Sequence, residues 1–158
     1  MKTLVVFESK HGTTREIARK LAEAIGGGSA AFELGSRQRP PIEDYEAVVL
    51  GGPVYAGSWS RRAAAFAREN LGALKAKPFA AFSSGYGVGE GPKLLKGALP
   101  PELSASALGL VDLGGAFVLA RMNAFERFIV KKVSKVETDV SNVDDAAIAA
   151  LASAIGSR

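Results

Sequence analysis

The sequence predicts an α/β protein, an open parallel sheet with helices on both faces. Three observations predict it. Short apolar runs alternate with helical periodicities along the chain. Several of those runs have no polar face, as strands buried on both sides should not. The connections richest in glycine and hydroxyls follow strand carboxyl ends, the edge at which ligands bind in such sheets.

The elements follow in order. Residues 3–7 form a short run of β-formers, Val5, Val6 and Phe7 among them, and read as a buried strand. Ile17, Leu21, Ala24 and Ile25 recur at helical spacing, with Arg15, Glu16, Arg19, Lys20 and Glu23 on the other side. Gly26-Gly27-Gly28 ends that helix. Residues 29–34 are a weaker strand, and 35–44 a loop around Pro40-Pro41. A second buried strand is predicted at 46–51, a turn-rich loop at 52–57 and a helix at 59–71. Residues 77–82 read as a third buried strand, 83–91 as a loop and 92–97 as a short helix, which Pro100-Pro101 interrupts. A last strand region spans 107–118, broken by Gly114-Gly115. Two helices follow, at 122–136 and 143–155, the second capped by Ser141 or Asn142.

Composition excludes several chemistries. With no Cys, disulfides, thiolate nucleophiles and Cys-ligated metals are ruled out together. One His is too few for an ordinary zinc site. Any redox chemistry therefore falls to an organic cofactor. At 158 residues the chain is expected to form one domain over 1–158. Met1-Lys2 lead straight into a patterned strand, and no run reaches the ~18 apolar residues of a membrane span. The expectation is a cytoplasmic protein. The net charge of +4 matters only where the cations cluster, and no nucleic-acid-binding motif accompanies it.

The three loops after the buried strands differ in chemistry. Ser9-Lys10-His11-Gly12-Thr13-Thr14 opens a helix, so free backbone N–H groups and the positive helix end would face an anion such as a phosphate. The same hydroxyls would serve equally as a helix cap. The second loop offers Tyr55, with Trp59 just beyond, and Gly51 and Gly52 to permit close backbone approach. Trp59 has two readings, ring stacking or core. The third offers Gly85, Tyr86, Gly87 and Gly89. Aromatics on either side of a flat apolar ligand, with backbone polar groups at its edge, suit a tricyclic flavin ring.

These motifs resemble those of the flavodoxin superfamily. Ser9, Gly12 and Thr14 match its phosphate loop T/S-x-T-G-N-T/S, while His11 and Thr13 depart from it. Gly51-Gly52-Pro53-Val54-Tyr55-Ala56-Gly57 looks like its second loop, G-S/T-P-x-Y/W-x-G, and 83–91 falls where its third should lie. The resemblance covers nearly the whole chain. It implies a flavodoxin-like three-layer sandwich, with a five-stranded parallel sheet in order 2-1-3-4-5. It implies FMN as cofactor, with the phosphate at Ser9, Lys10, His11, Gly12, Thr13 and Thr14. The ring would lie between Pro53, Val54, Tyr55, Ala56 and Gly57 on one side and Ser83, Ser84, Gly85, Tyr86, Gly87 and Gly89 on the other.

A narrower resemblance points to the menaquinone-dependent protoporphyrinogen IX dehydrogenase branch. It rests on Gly114-Gly115-Ala116-Phe117, on Phe125-Glu126-Arg127-Phe128-Ile129-Val130-Lys131, and on Glu137-Thr138-Asp139. The insert before the last helix is shorter and less aromatic here, and Lys135-Val136 stands where a Gly pair is usual. Within it, Arg121, Arg127, Lys131, Lys132 and Lys135 crowd one segment. Met122, Phe125, Ile129, Val133 and Val136 form a helical stripe, widened by Phe128 and Val130. Either the stripe packs on the sheet and the cations are merely solvated, or 121–136 is a basic amphipathic helix lying on an anionic membrane. The functions in view are an FMN-dependent dehydrogenase that uses a quinone, a soluble electron carrier working with a redox partner protein, and a flavodoxin-like interaction module without cofactor. An NAD(P)H:quinone reductase ranks below them, because no nicotinamide-binding domain is visible.

Overall fold

A computed structural model describes residues 1–85, 90–117, 123–133 and 140–157. Strand β1 (Thr3–Phe7) is buried along its whole length. Helix α1 (Thr13–Ile25) follows and buries Thr14, Ile17, Ala18, Leu21 and Ala22, one face at i, i+3, i+4 spacing. It ends at Gly26, the first of three successive glycines with positive φ. Then come β2 (Ala30–Glu33), β3 (Ala47–Tyr55), β4 (Ser58–Trp59), α2 (Arg61–Glu69), α3 (Leu71–Lys75) and β5 (Phe79–Ser84). The chain continues through α4 (Gly91–Ala98), α5 (Pro101–Ser106), β6 (Leu110–Asp112), β7 (Ala116–Phe117), α6 (Ala124–Val133), β8 (Val140–Ser141) and α7 (Asp145–Gly156).

The main sheet runs β2-β1-β3-β5-β6 with every neighbouring pair parallel, and β4 folds back antiparallel on the end of β3. Counting only the parallel strands, this is the expected order 2-1-3-4-5. Period-two alternation divides the buried strands between two cores. Leu4, Val6, Val48, Leu50, Phe79 and Ala81 face Phe66, Ala67, Leu74, Leu95 and Leu103 of α2–α5. Val5, Phe7, Val49, Ala80 and Phe82 face Ile17 and Leu21 of α1 and Ile148, Leu151 and Ile155 of α7. The three layers follow from that alternation.

Five departures from the sequence expectation have local causes. Residues 52–55 are not loop: β3 runs on to Tyr55 and turns back through Ala56 (φ 50) and Gly57 (φ 76), both left-handed, as a two-residue hairpin turn requires. Helix α2 therefore starts at Arg61 rather than 59, with Ser60 Oγ accepting from Ala63 N. The strand region 107–118 splits. Strand β6 ends at Asp112, whose carboxylate accepts from Gly114 N, and Gly114 (φ 76) sends the chain off the sheet to pair β7 with β8. The last helix is capped by Asp144 Oδ1 at 2.9 Å from Ala147 N, since Asn142 Oδ1 accepts from Gly115 N instead. Helix α5 arose where Pro100-Pro101 had suggested only an interruption; Pro101 occupies a first-turn position, where its missing N–H costs nothing. The helix predicted at 122–136 appears as α6, and Met122 and residues 134–136 lie outside the described residues.

Candidate functional site at the carboxyl edge of the sheet

Strand register brings the ends of β1, β3 and β5 level: Phe7 is opposite Gly51, Gly51 opposite Phe82, and Pro53 opposite Ser84. The first loop leaves β1 here. Gly12 is the N-cap of α1 at φ 93, where a side chain would be strained. It carries no capping group, so the first-turn N–H groups of α1 have no side-chain acceptor at the cap. Gly12 N itself donates to Ser9 Oγ at 3.0 Å. Thr13 is half-buried beside it. Thr14 turns inward and is buried, with Oγ1 2.6 Å from Ser84 Oγ, which ties the first loop to the end of β5.

The β3–β4 hairpin forms the neighbouring wall. Tyr55 is 48% exposed, and Lys10 Nζ lies 3.6 Å from its ring centroid, close enough for cation–π attraction. Trp59 is core: it is buried, and Nε1 donates to the carbonyls of Gly52 (3.1 Å) and Phe82 (3.2 Å). Gly51 and Gly52 do admit close approach, but of the protein itself. A Cβ on Gly51 would fall 2.0 Å from Phe82 Cζ, and one on Gly52 2.5 Å from Ser60 Cβ. We expect Trp59→Phe to cost about 1–2 kcal/mol for the lost donor, read as a lowered melting temperature.

Ser83 and Ser84 belong to β5 rather than to the third loop. Both are buried, and Ser83 Oγ donates to Asp112 Oδ1 at 3.3 Å. Gly85 N donates to Gly114 O. Tyr86, Gly87 and Gly89 lie outside the described residues.

A cleft of about 590 Å³ opens between the first loop and the hairpin. It is lined by Glu8, Ser9 and Lys10, by Pro53, Tyr55 and Ala56, and by Ser58 to Arg61. Of the other predicted residues, His11, Gly12, Thr13 and Thr14, Val54 and Gly57, and Ser83, Ser84 and Gly85 do not line it. Glu8 and Ser60 were not singled out from sequence, yet Ser60 Oγ donates to Glu8 Oε1 at 2.7 Å, and Arg62 Nε sits 3.4 Å from Glu8 Oε2. Nearby, Arg15 makes two hydrogen bonds to Glu33, which fasten the first turn of α1 to the end of β2 and hold the guanidinium pKa above its ordinary value.

One further residue was missed. Glu126 of α6 is buried against the first loop. Its Oε2 lies 2.8 Å from His11 Nε2 and 3.3 Å from Lys10 Nζ. The residue also closes a capping box: Asn123 Oδ1 accepts from Glu126 N at 2.8 Å, and Glu126 Oε1 from Asn123 N at 3.4 Å. Burial alone pushes the carboxyl pKa up, but the Asn123 N–H and the Lys10 and His11 partners together hold it below the usual carboxylate range. The Asn-x-x-Glu spacing was readable as a helix start, though its partners were not.

A doubly wound sheet in this order, with a glycine-capped helix after β1 and an aromatic hairpin beside it, defines the flavodoxin-like class of α/β proteins. A family model described as a flavodoxin domain matches residues 4–144. The chain belongs to the flavodoxin family, a family of FMN-binding redox proteins. It is 26% identical to the protoporphyrinogen IX dehydrogenase [quinone] of Escherichia coli, over 88% of this chain and 83% of the relative. Among solved structures, a Bacteroides eggerthii protein classed as a flavoprotein superposes with TM-score 0.58 at 20% identity, covering 98% of this chain and 97% of the other. A flavodoxin from Archaea gives 0.53 at 18%, covering 72% and 83%. The donor set at the first loop fits the family's cofactor. Uncapped helix N–H groups, a lysine and a glycine-only backbone conformation are what a phosphate monoester needs. Among the described residues no group of acidic and histidine side chains could hold a metal ion.

Proposed function

We propose that the protein is an FMN-dependent oxidoreductase that oxidises protoporphyrinogen IX or a similar substrate and passes the electrons to a quinone. The first-turn N–H groups of α1 and Lys10 would hold the phosphate, and the hairpin with Tyr55 would border the ring. Bound FMN supplies the two-electron chemistry at its ring. The protein's residues bind and orient it, and the buried Thr14–Ser84 hydroxyl pair fixes the first loop against β5. Each turnover removes two hydrogens from the substrate and converts the quinone to its quinol.

The observation that carries this reading is the outward face of α6. Phe125 is 70% exposed and Phe128 58%, with Arg127 also exposed between them. Neither aromatic is buried, whereas Glu126 is. Exposed aromatics on a helix rich in basic residues suit a membrane surface, where quinones and porphyrins partition. Arg121 and Lys135, also counted in the basic stretch, lie outside the described residues. No described helix is long and apolar enough to cross a membrane, so contact would be peripheral.

Purified protein should show two visible flavin bands, and the reduced form should be re-oxidised by a menaquinone analogue. It should float with vesicles containing anionic lipid, and Phe125→Ser with Phe128→Ser should weaken that binding at least about tenfold. A flavin-bearing protein with neither lipid binding nor quinone reactivity would be a soluble electron carrier. A colourless protein without FMN affinity would be an interaction module.

A further inference from the structure

Glu126 is the only charged residue buried among those whose side chains are described. It reaches the first loop from α6, outside the main sheet, and it is attached at two points. Oε2 contacts Lys10 and His11, and Oε1 accepts from the backbone of Asn123. Lys10 in turn covers the ring of Tyr55. One carboxylate thus joins the insert helix, the glycine-capped loop and the hairpin wall of the cleft. A carboxylate and a phosphate monoester are both acceptor-only anions, and at this loop they draw on the same cations.

We propose that Glu126 is a positioning residue that competes with the cofactor's phosphate for Lys10 and His11, so that it sets FMN affinity and couples cofactor loading to the seating of α6. This rests on the reading that the loop at 9–14 holds the phosphate. When FMN is bound, Lys10 and His11 are shared with its phosphate, Glu126 is held less tightly, and α6 with Phe125 and Phe128 is freer to meet a surface. Without FMN, Glu126 keeps α6 down on the loop.

The test compares FMN with riboflavin, which has the same ring and no phosphate. Glu126→Gln removes the charge and keeps the capping box, because Gln serves as well as Glu at that helix position. On the full chain, Glu126→Gln should bind FMN about tenfold more tightly, with riboflavin affinity unchanged. In a Lys10→Met background the gain from Glu126→Gln should shrink, the mark of a shared partner. Amide hydrogen exchange over residues 124–128 should rise when FMN, but not riboflavin, is added to the unmodified protein. If that protein binds FMN no more tightly than riboflavin, the phosphate reading and the inference both fall. If it prefers FMN strongly, yet Glu126→Gln leaves FMN affinity unchanged, lowers it or raises riboflavin affinity equally, only the competition is overturned. Exchange in α6 unaffected by FMN would overturn the coupling.

Discussion

Gly12→Asp should leave a folded protein that no longer takes up FMN. Gly12 sits at φ 93, and an L-residue held in the left-handed region costs about 1–2 kcal/mol. Aspartate is among the best N-cap residues, but over glycine it gains only about a few tenths of a kcal/mol. The strain outweighs the cap by about 1–2 kcal/mol, so the melting temperature should fall by roughly 2–8 °C, which leaves the fold intact. The ligand suffers both ways. A capping carboxylate would accept from the first-turn N–H groups of α1, the donors proposed for the phosphate, and its charge would repel a dianion at close range. We expect FMN affinity to fall by at least about a hundredfold, or roughly 2.7 kcal/mol. Flavin fluorescence quenching reads the affinity and circular dichroism the fold. A folded variant that keeps normal FMN affinity would remove the first loop as the phosphate site.

Legibility divided along a physical line. The buried strands and α1 were readable because burial on both faces, or on one helical face, leaves a periodic record in Val5, Val6, Phe7, Ile17 and Leu21. The first loop was readable because a strand, a hydroxyl-rich stretch with glycine and a helix follow one another in sequence. What failed depended on partners distant in the chain. Trp59 looked equally like a stacking residue, until the carbonyls of Gly52 and Phe82 decided for the core. Ser83 and Ser84 read as the start of the third loop, but they end β5, and their hydroxyls face Asp112 and Thr14, which lie 29 and 70 residues away. Glu126 meets His11 across 115 residues of chain, a distance over which no local pattern speaks. On α6 the ion pairs turn Glu126 inward, while Phe125 and Phe128 stay exposed.

Gly51→Ala should be the most damaging single methyl in the sheet. Gly51 lies in β3 between β1 and β5, opposite Phe82 in register. The place of its missing Cβ is taken by the Phe82 ring, with Cζ at 2.0 Å and Cε1 at 2.2 Å. That ring is fully buried in the core shared with α1 and α7, so it cannot swing into solvent to make room. Overpacking of this kind costs about 1–3 kcal/mol, and a central strand that cannot shift without disturbing both neighbours belongs at the upper end. For a chain of this length about 3 kcal/mol lowers the melting temperature by roughly 6–12 °C. Gly57→Ala is the control: its Cβ meets nothing within 4 Å, so it bears only the strain of φ 76, about 1 kcal/mol. A second change separates steric crowding from lost backbone freedom. Phe82→Leu alone should destabilise by leaving a cavity, but combined with Gly51→Ala it should cost less than the sum of the two, because the smaller side chain vacates the space the methyl needs. Strictly additive losses, or a Gly51→Ala melting temperature within 2 °C of the unmodified protein, would show that the ring is not what forbids a side chain at position 51.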